Sequence, residues 1–308
     1  MDRVKVVVTG GTGVIGRAAV RALVDAGHDV DVLARSAENV ALIGELGGRP
    51  READLFDLDS LTNLYAGADA VVNLATKMPV GYAAARPSSW RINDELRTRG
   101  VANVATAARA AGVRRIIQES ASFLYADGGE NWITERDPLD ITPATEPIAV
   151  GESHVQEYTD STRVGVLLRF GAITGDDPLT RFFLKAAATG RPVGIGAPEA
   201  WTHLVHTDDL GPAVLASLHA PSGIYNVGAT PIRRTDLIAG FAAAVGADEG
   251  GYLGPVLRRL AGGRIEPMTR SIRASSDHFT AQTGWFPLRP AFDPGWFDVA
   301  LGHAEVAR

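Results

Sequence analysis

The stretch KVVVTGGTGVIG, residues 5 to 16, constrains the fold of this chain more than any other. A short β-branched run ends in glycine, so it reads as a buried parallel strand. Helical spacing begins at once, with Val14, Ala18 and Leu23, and stops at Gly27. A strand must therefore turn sharply into a helix. Gly10, Gly13 and Gly16 sit where such a turn needs them. Glycine at the first two positions permits the turn and the close approach of a diphosphate to backbone N–H groups at the helix N-terminus. Gly16 lets the helix pack close. The alternative is a glycine-rich connector with no ligand. Placement between a first strand and a first helix favours a nucleotide site.

The same alternation continues. Strands are expected at HDVDVLAR (28–35), PREADL (50–55), ADAVVNLAT (68–76), VRRIIQES (113–120) and RVGVLLRFG (163–171). Helices are expected at 36–48, 57–67, 88–112 and about 145–160. This spacing predicts βαβ units, hence an α/β, Rossmann-type doubly wound parallel sheet. After about residue 175 glycine and proline grow frequent and the alternation breaks down. We expect a dinucleotide-binding core over 1–175 and a smaller substrate lobe over most of 176–308, with segments returning to the core.

Composition narrows the function. The 308 residues carry a net charge of −6 with acids and bases interspersed, which argues against a nucleic-acid or anionic-membrane surface. No cysteine is present, which removes disulfides, thiolate nucleophiles and cysteine metal sites. No stretch approaches the ~20 apolar residues of a membrane helix. The expectation is a cytoplasmic protein, monomer or homodimer, with a small-molecule substrate. Among the three lysines, Lys77 alone follows a predicted central strand.

The end of the second strand reads VLARSAEN. An acid there would hydrogen-bond the adenosine ribose and repel a 2′-phosphate. Here Arg35 and Ser36, with Arg17 beyond the glycine loop, could hold a phosphate instead. The expected cofactor is NADP, with NAD possible. The alternative is that Arg35 is a solvated loop residue.

Several further motifs occur in order: ADL (53–55), VVNLAT (71–76), IIQESASFLYADG (116–128), LLRFGAITG (167–175), HLVHTDDL (203–210) and GIYNVG (223–228). With TGGTGVIG they resemble the extended branch of the short-chain dehydrogenase/reductase superfamily, the NAD(P)-dependent epimerase/dehydratase proteins, from residue 4 to about 245. The resemblance implies that Gly10, Thr12, Gly13, Val14, Ile15 and Gly16 meet the diphosphate. Asp54 and Leu55 would border the adenine, and Leu74, Ala75 and Thr76 the middle of the cofactor. Ser120 would lie beside the nicotinamide, and Arg169, Phe170 and Gly171 would lead to its far side.

The chain departs from that family at one point. Its members use a tyrosine as proton donor and a lysine four residues later. Residues 126 to 157 contain neither, and no tyrosine in the chain is followed by lysine at the fourth position. Two registers are open: one puts Ala149 and Ser153 at the two positions, the other Ala144 and Ile148. We therefore expect proton transfer from a rim of Ser120, Ser122, Tyr125 and Lys77, at the carboxyl edge of the sheet. Asp127, Glu130, Trp132 and Glu135 would shape the entrance. Trp90, Trp132 and Trp201 suggest an aromatic-lined pocket. In HLVHTDDL, Asp208 and Asp209 read better as helix-capping acids than as metal ligands. The expected activity is NAD(P)-dependent oxidoreduction of a small, apolar or aromatic carbonyl or alcohol. A non-redox cyclase, isomerase or lyase, and a non-catalytic dinucleotide-binding regulator, stay open as alternatives.

Overall fold

The structure, a computed structural model, describes residues 3–254 and 263–306. Seven strands form one parallel sheet: β1 (Lys5–Thr9), β2 (Asp29–Ala34), β3 (Arg49–Glu52), β4 (Ala70–Asn73), β5 (Arg115–Ala121), β6 (Val164–Phe170) and a seventh from the C-terminal half. Between them lie α1 (Val14–Asp25), α2 (Ala37–Glu45), α3 (Leu58–Tyr65), α4 (Pro87–Glu95), α5 (Val101–Ala110) and α6 (Glu146–Tyr158). Helices cover both faces, as the expected α/β Rossmann-type fold requires. Val6 and Val8 pack with Ile15, Val20 and Leu23 on one face. Val7 and Val71 pack with Leu61, Val104 and Tyr158 on the other. Fully apolar strands such as VVV are what a sheet buried on both sides demands.

Two expected elements differ from what forms. The third strand ends at Glu52 instead of running to Leu55, because Asp54 turns the chain: its Oδ1 accepts the Phe56 N–H at 3.0 Å. The single long helix expected over 88–112 is α4 and α5 joined by a π-helical turn, Leu96–Gly100. Gly151 of α6 explains how a helix passes close to that turn, since a Cβ there would lie 2.7 Å from the Arg97 carbonyl oxygen.

Beyond β6 the chain forms β7 (Ala172–Thr174), α7 (Pro178–Ala188), β8 (Trp201–Thr202), β9 (Leu204–His206), α8 (Thr207–Ser217), β10 (Gly223–Val227), β11 (Ile232–Arg233) and α9 (Arg234–Ala244). Strand β10 is the seventh strand and gives the order β10-β6-β5-β4-β1-β2-β3. Helix α8 lies against α1, where a Cβ on Gly211 would meet the Ala18 carbonyl at 2.5 Å. The remaining segments build a third apolar cluster that includes Leu184, Leu204, Ile238, Phe241, Trp296 and Phe297. The order reverses between β1 and β4, and a crevice opens there at the carboxyl ends of the strands.

Candidate functional site

The glycine loop forms the floor of one end of that crevice. Gly10 has φ 75°, and a Cβ on it would lie 2.5 Å from the Leu74 backbone. Glycine is required there twice over, by conformation and by space. Gly16 presses on the Gly10 and Gly11 backbone, so its role is to seat the helix on the loop. Gly13 is the N-cap of α1 and provides no side-chain cap. A Cβ on it would meet nothing nearer than the Gly10 carbonyl at 3.4 Å. The first-turn N–H groups of α1 thus have no side-chain acceptor above them, and the space over Gly13 is open. An anionic diphosphate fits this arrangement.

Beneath the crevice, register aligns a row of polar side chains. Thr9, Asn73 and Gln118 are cross-strand neighbours on β1, β4 and β5. The Thr9 hydroxyl donates to Asn73 Oδ1, and Asn73 Nδ2 donates to Gln118 Oε1 at 2.8 Å. Gln118 Nε2 continues to the Glu119 carbonyl at 2.8 Å. This chain of amides fixes the ends of the three central strands.

A cavity of about 370 Å³ extends from Val14 and Ile15 past Leu74, Thr76 and Ser120 to α7 and α9. Its walls are largely apolar, including Phe170, Ile173, Phe183, Leu237 and Phe241. No tryptophan lines it. Trp90 instead donates Nε1–H to the Ala84 carbonyl at 2.9 Å. Trp132 and Trp201 stack on Arg273, at 4.3 and 4.2 Å from its guanidinium carbon. The expected aromatic lining is supplied by phenylalanines, which the sequence does not distinguish from core residues.

Two buried ion pairs flank Ser120. Arg97, on the π turn, donates Nη2–H to Glu119 Oε1 at 2.9 Å, and both residues line the cavity. Glu119 Oε2 has no partner, and burial pushes this carboxyl up against the opposing pull of Arg97. On the other side, Arg169 holds Glu152 through Nε–Oε1 at 2.8 Å and Nη2–Oε2 at 2.6 Å. Burial alone would lower the Arg169 pKa, but the Glu152 carboxylate holds it above its usual value. The Ser120 hydroxyl donates to Glu152 Oε1 at 2.5 Å. Its proton is thereby directed at the carboxylate, and the side of the oxygen left for a ligand carries lone pairs.

The four expected catalytic residues do not come together. Ser120 and Lys77 line the cavity, Lys77 as an exposed residue at its mouth. Ser122 and Tyr125 are buried and are not among its lining residues. A 3₁₀ turn, Ser122–Leu124, follows β5 and carries Tyr125 under the sheet edge. There its ring lies 4.9 Å below the Arg169 guanidinium carbon, and its hydroxyl donates to Asn226 Oδ1 at 2.8 Å. Burial pushes the phenol up to about 12. Ser120, Arg169 and Asn226 form one cross-strand row over β5, β6 and β10, so long-range register decides where Tyr125 points.

The expected cofactor residues fall along the crevice. Gly13, Val14, Ile15, Leu74, Thr76, Phe170 and Gly171 line the cavity. Gly10, Thr12 and Gly16 shape the loop, and Ala75 N donates to Asn73 Oδ1 at 3.4 Å. Leu55 is buried against Gly100, while Asp54 is exposed. Arg17, Arg35 and Ser36 are all exposed, and Ser36 Oγ caps α2 by accepting Asn39 N–H at 3.3 Å.

Among the other expected groups, Glu130 pairs with Arg233 at 2.7 Å and accepts from Trp201 Nε1. Arg233 and then Trp201 hold the Glu130 carboxyl down to about 2. Glu135 accepts the Asn226 N–H at 2.8 Å, and Asp127 accepts that of Gly129 at 2.9 Å. The cap of α8 is His206, not an aspartate: its Nδ1 accepts Asp208 N–H at 3.1 Å. Asp208 and Asp209 occupy the first turn, and Asp209 accepts backbone N–H groups of Leu288 and Arg289. No group of three or more potential metal-binding side chains occurs among the described residues. No described helix is long and apolar enough to cross a membrane.

Comparison with known proteins agrees with this geometry. A 3-diazoavenalumate denitrifying reductase from Streptomyces sp. is 28% identical over 94% of this chain and 98% of its own length. A UDP-glucose 4-epimerase from Klebsiella pneumoniae is 32% identical over 40% of this chain and 93% of its own sequence. Among solved structures, UDP-glucose 4-epimerase from Thermotoga maritima superposes with a TM-score of 0.79 at 19% identity, over 99% of this chain and 100% of that one. The dTDP-glucose 4,6-dehydratase DesIV from Streptomyces venezuelae, with NAD bound, gives 0.79 at 21% identity, over 98% and 97%. The family model described as NAD dependent epimerase/dehydratase family matches residues 6–228, and the chain is an enzyme that belongs to this family.

Proposed function

We propose that the chain is an NAD(P)-dependent reductase of a small, mostly apolar substrate, and that it works without a tyrosine–lysine acid. Bound nicotinamide supplies the hydride. The glycine loop and α1 N-terminus would hold the diphosphate, Leu55 would border the adenine, and Leu74, Thr76, Phe170 and Gly171 would flank the nicotinamide half. Arg35, Ser36 and Arg17, with no acid at the end of β2, favour NADP over NAD.

One observation carries the substrate class: the Ser120 hydroxyl gives its proton to Glu152, whose two oxygens Arg169 also holds. Ser120 then presents lone pairs to the cavity. A carbonyl needs a proton as it accepts hydride. An electrophile that carries its own positive charge does not, and lone pairs suit it. The relative that matches almost end to end is named for a diazo substrate and for loss of nitrogen. Replacing an aryl diazonium group by hydride forms one C–H bond, breaks one C–N bond, and sends that bond's electron pair away with N₂. No proton is consumed. The phenylalanine and leucine walls suit an aromatic ring better than the hydroxyls of a sugar.

The test is a paired assay with NADPH or NADH deuterated at C4, on an ortho-quinone diazide and on the aldehyde of the same ring, with the uncatalysed rate subtracted. We expect N₂ release matched to nicotinamide oxidation, deuterium on the product carbon, and at least about a hundredfold preference for the diazo compound, the lower end of general acid catalysis. Comparable or faster aldehyde reduction would overturn the acid-free reading. Product formation without nicotinamide oxidation would overturn reduction itself.

A further inference from the structure

The polar side chains around the cavity are mostly committed to one another or to backbone. Arg234, for instance, donates to the carbonyls of Ala197, Thr269, Met268 and Arg270. Asp177 is an exception that no ion pair accounts for. It lines the cavity and is 4% exposed. As N-cap of α7, it accepts the N–H groups of Leu179 and Thr180 through Oδ1, at 2.8 and 3.1 Å. Its Oδ2 is buried and has no hydrogen-bond partner. The nearby Arg181 does not supply one, because it pairs with Asp176.

Capping does not account for this carboxylate. A cap uses one oxygen, and serine or asparagine serves about as well. A buried carboxylate oxygen with no partner is costly, and such groups in native proteins call for an explanation. Burial pushes the Asp177 carboxyl up, against the pull of its Thr180 and Leu179 hydrogen bonds, which is the mark of an unsolvated charge. Two more unspent groups lie on the same cavity: Thr202 Oγ1, and Glu119 Oε2 beside Ser120, are also buried without a partner. But Glu119 already shares its other oxygen with Arg97, whereas no cation among the described residues pairs with Asp177. The surrounding walls, Ile173, Phe183, Leu237 and Phe241, offer no polar atom in their side chains.

We propose that Asp177 is the polar anchor of the substrate cavity, and that its free carboxylate oxygen receives a hydroxyl or amino group on an otherwise apolar, ring-sized substrate. This rests on the reading of the cavity as the substrate site and narrows its substrate class. A ligand that brings a hydrogen-bond donor to this end of the cavity satisfies Oδ2. An ether or a plain hydrocarbon leaves it bare.

The experiment is calorimetric binding to the cofactor-saturated protein of three probes: para-ethylphenol, its methyl ether, and ethylbenzene. The phenol is expected to bind about tenfold or more tightly than the other two, the value of one hydrogen bond to a charged group. Asp177→Asn keeps the cap and replaces the free acceptor by a donor. It should bring the phenol-to-ether ratio close to one and leave ethylbenzene unchanged, with thermal stability retained. Leu237→Trp fills the cavity and should abolish binding of all three. Equal binding of phenol and ether to the unaltered protein, or a phenol preference that survives Asp177→Asn, overturns the anchor while ethylbenzene still reports the cavity. Ethylbenzene that fails to bind, or that binds undiminished after Leu237→Trp, overturns the substrate-site reading and the anchor with it.

Discussion

Arg169 and Glu152 meet through two parallel hydrogen bonds, 2.8 and 2.6 Å, with the side chains only 2% and 5% exposed. One residue comes from β6 and the other from α6, the helix on which the resemblance led us to expect a tyrosine and a lysine. The pair therefore welds helix to sheet beside Ser120. Removing one member leaves the other charged and buried. Glu152→Leu or Arg169→Met alone should each cost about 3–5 kcal/mol. The double substitution should recover much of that loss, because it leaves no unpaired charge. Urea melts of the four proteins provide the cycle, and strictly additive losses would count against the weld.

Tyr125 and Ser120 are expected to behave in opposite ways to a Tyr-dependent enzyme. Tyr125→Phe removes a hydroxyl that reaches Asn226, not the cavity. It should lower stability by about 1–3 kcal/mol, for Asn226 Oδ1 then loses its donor, and turnover should stay within about twofold. Ser120→Ala should slow turnover by less than about tenfold, well short of the 10²–10⁴ range of a general acid. Steady-state rates beside thermal melts separate the two effects. A collapse of turnover in Tyr125→Phe with stability intact would restore the phenol as proton donor.

At the adenosine end, Arg35 is exposed past β2, beside Ser36, whose oxygen accepts from Asn39 and whose proton is free to donate. If a 2′-phosphate sits there, Arg35→Ala should weaken NADPH binding about tenfold or more and leave NADH unchanged. Calorimetry with both nucleotides measures this directly. Parallel losses for the two cofactors would remove Arg35 from the selectivity.

His203 provides a pH signature of folding. It is fully enclosed, neither ring nitrogen has a partner, and burial pushes its pKa down from 6.5 to about 4. Between those values the unfolded chain binds a proton that the folded chain does not. Stability from keeping this ring neutral is thus complete above about pH 6.5 and declines as pH falls toward 4, by on the order of 3 kcal/mol. Comparing thermal melts of the protein and His203→Met across that window isolates the effect from other titrating groups. The stability of the protein relative to His203→Met should fall as pH falls. A difference that is independent of pH would mean the ring is not held neutral.

Local chemistry made much of the fold legible. VVV followed by TGGTGVIG admits little besides a buried strand turning into a helix, and alternating segments of the right length admit little besides a parallel sheet. The glycines are readable because each answers a constraint in its own neighbourhood: positive φ at Gly10, open space above Gly13, contact with the loop at Gly16. The absence of tyrosine and lysine from 126–157 is likewise a fact of sequence alone.

Tertiary structure decided what fills that absence. Nothing local says that β10 joins the main sheet beside β6, yet that pairing sets Asn226 next to Arg169 and so draws Tyr125 away from the cavity. The π turn that brings Arg97 to Glu119 interrupts a segment whose sequence reads as plain helix. Glu152 and Asp177 look like ordinary helix acids, one inside α6 and one capping α7, until burial and the partners of each oxygen are known. Hydrophobic period and turn chemistry are properties of neighbours in sequence. Which carboxylate oxygen is satisfied, and which hydroxyl still has a proton to give, depends on side chains that only register and packing bring together.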